Sequence, residues 1–296
     1  LLNLVIAVCT YQRVEELSRC LRALAKEIEL VEARCRILVV DNDAEGSAAA
    51  GISGGWRTVD YVVEPARGIG NARNRALDEV HVAETLVFFD DDQVPLPGWL
   101  EALIKAHTAK PDAIISGLVL PRFESTPPRW GQSGWAWGAD RAVAQEGELL
   151  DTTGFGNVLI PYSLISLEEF RVRDPFLHRA GEDTYLCAVA KKCSFEILRA
   201  RSAIAIEPVL HDRLRIGWVV ERFRQAGETN RMIMEIMGAR PRHKLTVAVS
   251  RSLLGAFGVV FSMTDVRSWR ARFVCKMAYT SGLMSRRSVA LASRVN

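Results

Sequence analysis

The sequence predicts an α/β fold built on a mainly parallel sheet with helices on both faces. Two observations carry that prediction. Short apolar runs alternate with helix-period stretches through the first hundred residues, and polar clusters stand directly after three of the apolar runs. Residues 4–9 are continuous, aliphatic and β-branched, as a strand buried on both faces requires. Leu17, Leu21, Leu24 and Ile28 then recur at helical spacing and form one apolar stripe. Residues 37–40 and 59–63 read as a second and a third buried strand, 69–80 as a helix and 86–89 as a fourth strand. Past Pro95 the pattern loosens into a short helix over 99–107 and a strand over 114–120. A long loop region over 121–150 follows, marked by Pro121, Pro127, Pro128 and three tryptophans. A strand resumes over 154–160, a helix over 184–192 and an apolar run over 203–210.

At 296 residues, with 49% hydrophobic and 25% charged side chains, the chain can bury a sizeable core, and disorder is excluded as its general state. The net charge of +3 conceals an asymmetry. Residues 240–296 hold eleven Lys and Arg against the single acid Asp265, a net of +10, which leaves −7 for the preceding residues. A mildly acidic body with a basic, apolar tail points to an anionic surface near the C-terminus, a membrane being the obvious one. Nucleic acid is not an expected partner. Six scattered cysteines without a CxxC pair favour reduced thiols and a reducing compartment. Strand character from residue 4 onwards argues against a cleavable leader within the first residues. The body is therefore expected in the cytoplasm.

The polar clusters are Thr10-Tyr11, Asp41-Asn42-Asp43 and Asp90-Asp91-Asp92. In an open α/β sheet the carboxyl ends of the strands form the ligand crevice, so the three converge on one edge. Three consecutive carboxylates after a buried strand repel one another unless a cation sits among them. Mn²⁺ or Mg²⁺ suits such a place, since it takes one or two carboxylates together with phosphate oxygens. A solvated acidic turn is the plainer alternative, and the buried strand before it counts against that. Gly68-x-Gly70 before a helix is read as a turn that delivers Arg73. Gly181-Glu182-Asp183, taken alone, is an acidic helix N-terminus.

Five segments occur in order: VIAVCTYQR, ILVVDND, GIGNARNRAL, LVFFDDDQVPLPGWL and GEDTYL. Over roughly residues 3–230 the chain thereby resembles glycosyltransferase family 2, whose members have the Rossmann-like nucleotide-diphospho-sugar transferase fold termed GT-A. The resemblance implies an inverting, metal-dependent glycosyltransferase, a hexosyltransferase in the broad sense. Asp90 and Asp92 match the DxD motif that holds Mn²⁺ or Mg²⁺ on the donor diphosphate, and Asp91 would face the donor ribose. Thr10, Tyr11, Arg13, Asp41 and Asn42 match the nucleotide contacts, with Asn42 standing where a second Asp is usual. Arg73 would reach a base edge or the diphosphate. Displacement at the anomeric carbon needs a carboxylate to take the acceptor proton. The ED motif supplies it, so Asp183 is the expected base and Glu182 its helper. His211 resembles a C-terminal histidine that completes some GT-A metal sites, although a lone His is also often structural. Asn157 fits the segment that lines the acceptor side. Trp130, Trp135 and Trp137 either stack on sugar faces or pin a long loop as a hydrophobic cluster.

These expectations divide the chain into a catalytic domain over 1–235, split near residue 110 into donor and acceptor halves, and a basic, apolar helical region over 236–296. Residues 245–263 read either as an interfacial segment anchored by basic residues or as part of a soluble helical subdomain. The expected partners are a nucleotide-diphospho-sugar, UDP-linked by preference, and a glycan or lipid-linked acceptor in polysaccharide biosynthesis. The expected location is the cytoplasmic face of the cell membrane. The alternatives are a nucleotidyltransferase on a related fold and a nucleotide-sugar-binding subunit that has lost catalysis. The form of the first strand's end, Thr10-Tyr11-Gln12-Arg13, and the presence of Asp90, Asp92 and Asp183 count against them.

Overall fold

A computed structural model describes residues 1–52, 59–138, 143–238 and 266–284. By backbone contacts the chain forms two units. The first comprises Leu1–Leu120 with Arg141–Pro208, and the second Pro121–Asp140 with Val209–Asn296.

The first unit is organised around strand β1 (Asn3–Thr10), every residue of which from Leu4 to Val8 is buried. Strands β2 (Arg34–Asp41), β3 (Val59–Val63) and β4 (Glu84–Phe89) join it in the order β3-β2-β1-β4, all parallel. Parallel neighbours need crossovers. Helix α1 (Val14–Ile28) and helix α3 (Ile69–Asp78) lie in two of these connections, with the single turn α2 (Ala49–Ile52) in another. Helix α1 buries Leu17, Cys20, Leu21 and Leu24, the stripe expected from spacing. Beyond β4 the sheet changes sense. Strand β7 (Asn157–Ile160) pairs antiparallel with β4, and β6 (Ile114–Phe123) antiparallel with β7. Strand β8 (Ile197–Val209) comes next and pairs antiparallel with the short β5 (Val94–Pro95), completing eight strands. The sheet is thus parallel through its first four strands and antiparallel where pairing has been seen beyond them. That mixture is common in large α/β sheets.

Helix α4 (Trp99–Ala109) follows β5 and contributes Trp99, fully buried, edge-on to Phe89 at 4.8 Å. The Trp99 indole Nε1 donates to Asn157 Oδ1 at 2.8 Å, and Asn157 Nδ2 donates to the carbonyls of Leu118 and Ala203, both at 3.0 Å. One side chain thereby ties α4 to three strands at the point where the sheet changes sense. Helices α5 (Tyr162–Ile165) and α6 (Glu182–Lys192) complete the unit. The apolar run over 203–210 belongs to the 13-residue strand β8.

In the second unit, α7 (Ile216–Ile236) packs on α8 (Val266–Met284), the final described helix. Their backbones approach closely enough that a Cβ on Gly227 would strike the Tyr279 carbonyl and one on Gly282 the Arg224 carbonyl. Helix α7 therefore groups with the C-terminal segment. Residues 245–263, expected to carry the apolar tail, lie outside the described residues. No described helix is long and apolar enough to cross a membrane. All six cysteines are free thiols.

Replacing Asn157 with Leu would strand the Trp99 N–H and two buried carbonyls, at about 1–3 kcal/mol for each buried group left unsatisfied. We expect Asn157→Leu to lower the urea midpoint by the equivalent of about 3 kcal/mol or more in the same terms. An unchanged midpoint would contradict the structural role given to this residue.

Candidate active site

The ends of β1, β2 and β4 bring the three polar clusters together, each by the end of pairing in the parallel sheet: Thr10 stands opposite Asp41, and Asp90 follows Phe89 directly. Their side chains serve distinct purposes.

Asp41 is fully buried and accepts from the Asp43 and Ala48 amides at 3.1 and 2.7 Å and from the Tyr61 hydroxyl at 2.8 Å. Asn42, also buried, donates to the carbonyls of Glu64 and Ala66 and accepts from the Gly68 amide at 2.7 Å. Both side chains are spent on shaping the loops that rim the crevice. Buried polar side chains are satisfied locally, here by loop amides and carbonyls.

Thr10 and Arg13 turn to the acidic triplet. Thr10 Oγ1 donates to Asp91 Oδ2 at 2.7 Å, and Arg13 Nη1 bridges Asp91 Oδ1 at 3.0 Å and Asp92 Oδ2 at 3.2 Å. Asp91 is buried, and burial raises its pKa against the pull of Thr10 and Arg13. Tyr11 lies under the Arg67 guanidinium, 4.6 Å from ring centroid to Cζ. Arg67 was not anticipated. Asp43, the last residue of the second cluster, accepts from Gln12 Nε2 at 3.1 Å, and its hydrogen bonds hold its pKa low. Residue 12 adopts a left-handed backbone, φ 53°, in the turn that aims Arg13 at the triplet.

Asp90 sits in a deep recess with an open mouth. Surrounding protein pushes its carboxyl up to about 7, Arg73 opposing and Asp92, Glu207 and Asp91 reinforcing, yet 44% of its side-chain surface remains reachable. The segment 154–156 lies against it. A Cβ on Gly156 would collide with Asp90 Oδ2 and Gln93 Nε2, and one on Gly154 would stand 3.7 Å from Asp183 Oδ2. Two glycines two residues apart thus let one backbone stretch pass close to carboxylates of both acidic motifs, which only glycine permits at Gly156. Gln93, 2% exposed, has no hydrogen-bond partner for its Oε1.

Arg73, on α3, is 5% exposed. Its Nε lies 3.0 Å from Glu182 Oε1, its Nη1 donates to the Phe155 carbonyl at 3.2 Å, and its Nη2 is 3.8 Å from Asp90 Oδ1. The rings of Phe88 and Phe155 lie 5.0 and 5.4 Å from its Cζ. Burial alone would discharge such a group, but Glu182 and Asp90 outweigh it and raise its pKa. Glu182 is buried too, and its other oxygen accepts from the Gly181 amide at 3.0 Å. Asp183 is part-exposed; Oδ1 accepts from the amide and hydroxyl of Thr184 at 2.6 and 3.1 Å.

Asn157 is 1% exposed with its amide committed internally to Trp99, Leu118 and Ala203. In the second unit, Trp130 packs on Trp135 and Trp137 with centroids at 6.5 and 5.5 Å, Phe123 meets Trp137 and Phe223 meets Trp135. Arg272 covers Trp135 at 5.2 Å. These contacts are those of a cluster that pins the 121–138 loop. His211 is exposed, opens a short 3₁₀ turn and shares a 3.4 Å hydrogen bond with the Ser125 hydroxyl.

Among the described residues, no three His, Cys, Asp or Glu side chains are gathered so as to hold a metal ion by themselves. The triplet still fits a cation of the Mg²⁺ or Mn²⁺ kind. Such ions are held by one or two carboxylates plus phosphates, and Asp90 and Asp92 both present reachable oxygen.

A carboxylate-lined crevice at the carboxyl ends of parallel strands is the ligand site of open α/β enzymes. Comparison with known proteins narrows the class. The profile described as Glycosyl transferase family 2 matches residues 5–164. The chain is 31% identical over 291 residues to the succinoglycan biosynthesis protein ExoM of Rhizobium meliloti, covering 96% of this chain and 92% of the relative. It is 27% identical over 190 residues to a glucosyl-dolichyl phosphate glucuronosyltransferase of Haloferax volcanii, covering 60% and 55% of the two chains. The chain belongs to glycosyl transferase family 2, has the α/β fold of its GT-A members and is a glycosyltransferase.

Because a Cβ at position 156 would displace Asp90 Oδ2, we expect Gly156→Ala to lower sugar transfer by about tenfold or more. The thermal midpoint should fall as well, since the added methyl also meets the buried Gln93 side chain. Full activity in this variant would show that the close approach to Asp90 has no functional consequence.

Proposed function

We propose that the protein transfers a sugar, with inversion, from a nucleoside-diphosphate donor, UDP-linked by preference, to a glycan or lipid-linked hydroxyl in polysaccharide biosynthesis. The observation that carries this reading is the facing of two acidic motifs across the 154–156 segment. Asp90 borders Gly156 and Asp183 borders Gly154. Asp90 and Asp92 would hold Mn²⁺ or Mg²⁺ with the donor diphosphate, and the cation would supply Lewis-acid neutralisation of the departing nucleotide. Arg13 holds Asp91 and Asp92 in place, and the Tyr11–Arg67 pair offers an aromatic face and a positive charge beside the nucleotide end. Asp183 takes the acceptor proton as the new bond forms, with Thr184 fixing one of its oxygens.

The relatives' names support an acceptor of this kind, one being named for succinoglycan biosynthesis and the other for a glucosyl-dolichyl phosphate substrate. The basic C-terminal residues and the exposed Val274, Met277 and Met284 of α8 support attachment to the cytoplasmic face of the cell membrane.

Two outcomes test the reading. Asp183→Asn should lower the transfer rate by about 10²–10⁴-fold, the range of a lost general base, while leaving nucleoside-diphosphate affinity intact. Unchanged transfer would remove Asp183 from the role of base. By calorimetry, Mn²⁺ alone should bind weakly and UDP should tighten it by about tenfold or more, because the protein supplies only part of the ligand set. Equal Mn²⁺ affinity with and without UDP would contradict a metal site completed by the donor.

A further inference from the structure

Helix α3, which follows Gly68, packs on β1 and β2 and also meets the segment 172–183 that ends in the acidic pair. Cβ atoms on Gly68 or Gly70 would collide with the carbonyls of Leu177 or Phe176, so two glycines admit that segment against the helix start. Asn71 Nδ2 approaches His178 Nδ1 at 3.5 Å, and the same ring nitrogen lies 2.8 Å from the Arg67 carbonyl. Asn74 clamps Val172 in both directions, donating to its carbonyl at 2.9 Å and accepting from its amide at 2.8 Å. Arg73 then joins Glu182 to Asp90.

We propose that α3 is a strut that sets the position of the Asp183 loop relative to the Asp90 carboxylate, and that Arg73 and Glu182 are positioning residues that touch neither donor nor acceptor. The guanidinium is held from several sides: its Nε is on Glu182, its Nη1 on the Phe155 carbonyl, its Nη2 turned to Asp90 at 3.8 Å, and phenylalanine rings lie near its faces. To clamp a diphosphate with both Nη groups it would have to leave the Phe155 carbonyl and turn from Asp90. Glu182 in turn holds the Gly181 amide, so the charge pair fixes the backbone immediately before Asp183. At Gly181, φ is 110°, a conformation that the tether helps to maintain. The inference rests on the reading of Asp183 as base and of Asp90 as a donor-side ligand, but its structural half can be measured without either.

The test compares Arg73→Gln, Glu182→Gln, their double variant and Asn74→Ala with the wild type. Amide hydrogen exchange of the ligand-free protein should accelerate about tenfold or more over residues 176–184 in each variant, with β1 to β4 unchanged. With Mn²⁺ and the nucleotide sugar, kcat should fall about tenfold or more while the donor KM stays within about threefold. The double variant should be no worse than the more severe single one, because both changes cut one strut. Arg73→Lys keeps the cation but loses the fork, and it gives the same comparison if Arg73→Gln fails to fold. The proposal is overturned if exchange over 176–184 is unchanged and the donor KM rises in Arg73→Gln, since that marks a direct donor contact. Multiplicative effects in the double variant overturn it equally. If the wild type transfers no sugar, the reading of the reaction fails, while the exchange comparison still decides the strut.

Discussion

The buried guanidinium of Arg73 is the interaction on which the site depends. Two carboxylates, Asp90 and Glu182, come from distant parts of the chain, and a cation taken out of water between them must be matched closely by both. Removing one partner from a buried ion pair costs about 3–5 kcal/mol, because the remaining charge is left uncompensated. The pairing therefore makes the Asp183 segment and the strand-end triplet one structural object. The Phe88 and Phe155 rings exclude water from the guanidinium, which strengthens its electrostatic hold on both carboxylates.

Much of the crevice edge was legible because a parallel sheet writes itself plainly in sequence. Strands buried on both faces read as aliphatic runs, and the polar residues that end them must lie at the crevice edge. Residues 4–9, 37–40, 59–63 and 86–89 all fall within observed strands, and the stripe of Leu17, Leu21 and Leu24 is buried as the spacing required. The antiparallel half was less legible. Its strands come together from residues far apart in the chain, and pairing sense depends on tertiary path rather than on local pattern. The 13 residues of β8 mix charge and aliphatic character, since several of its side chains are only partly buried.

Within the site, residue types were legible and their partners were not. Asp41, Asn42, Asn157 and Glu182 are the polar residues that a ligand site would use, and each is instead satisfied by the protein itself. Sequence tells that a polar group lies at a strand end; it does not tell whether a backbone amide arrives there first. The glycines show the reverse case. Gly154 and Gly156 read from the sequence as the start of a strand that begins only at Asn157, and the three-dimensional proximity of Asp183 and Asp90 gives their missing Cβ atoms a purpose.

The division of labour inside the triplet follows from the same electrostatics. Three adjacent carboxylates cannot all stay charged in a recess without compensation. Asp91 is therefore neutralised from within, by Thr10 and Arg13, and becomes part of the wall. Arg13 reaches on to Asp92, while Arg73 stands at the greater distance of 3.8 Å from Asp90. The two outer carboxylates thus keep oxygen open to the crevice while the inner one is closed. The triplet lies in the turn after β4, so this arrangement is set by each carboxylate's own partners rather than by strand alternation. A divalent ion arriving with a diphosphate would meet two carboxylates already aligned and partly compensated. Arg13 and Arg73 thereby compensate the acidic recess while parts of Asp90 and Asp92 stay exposed.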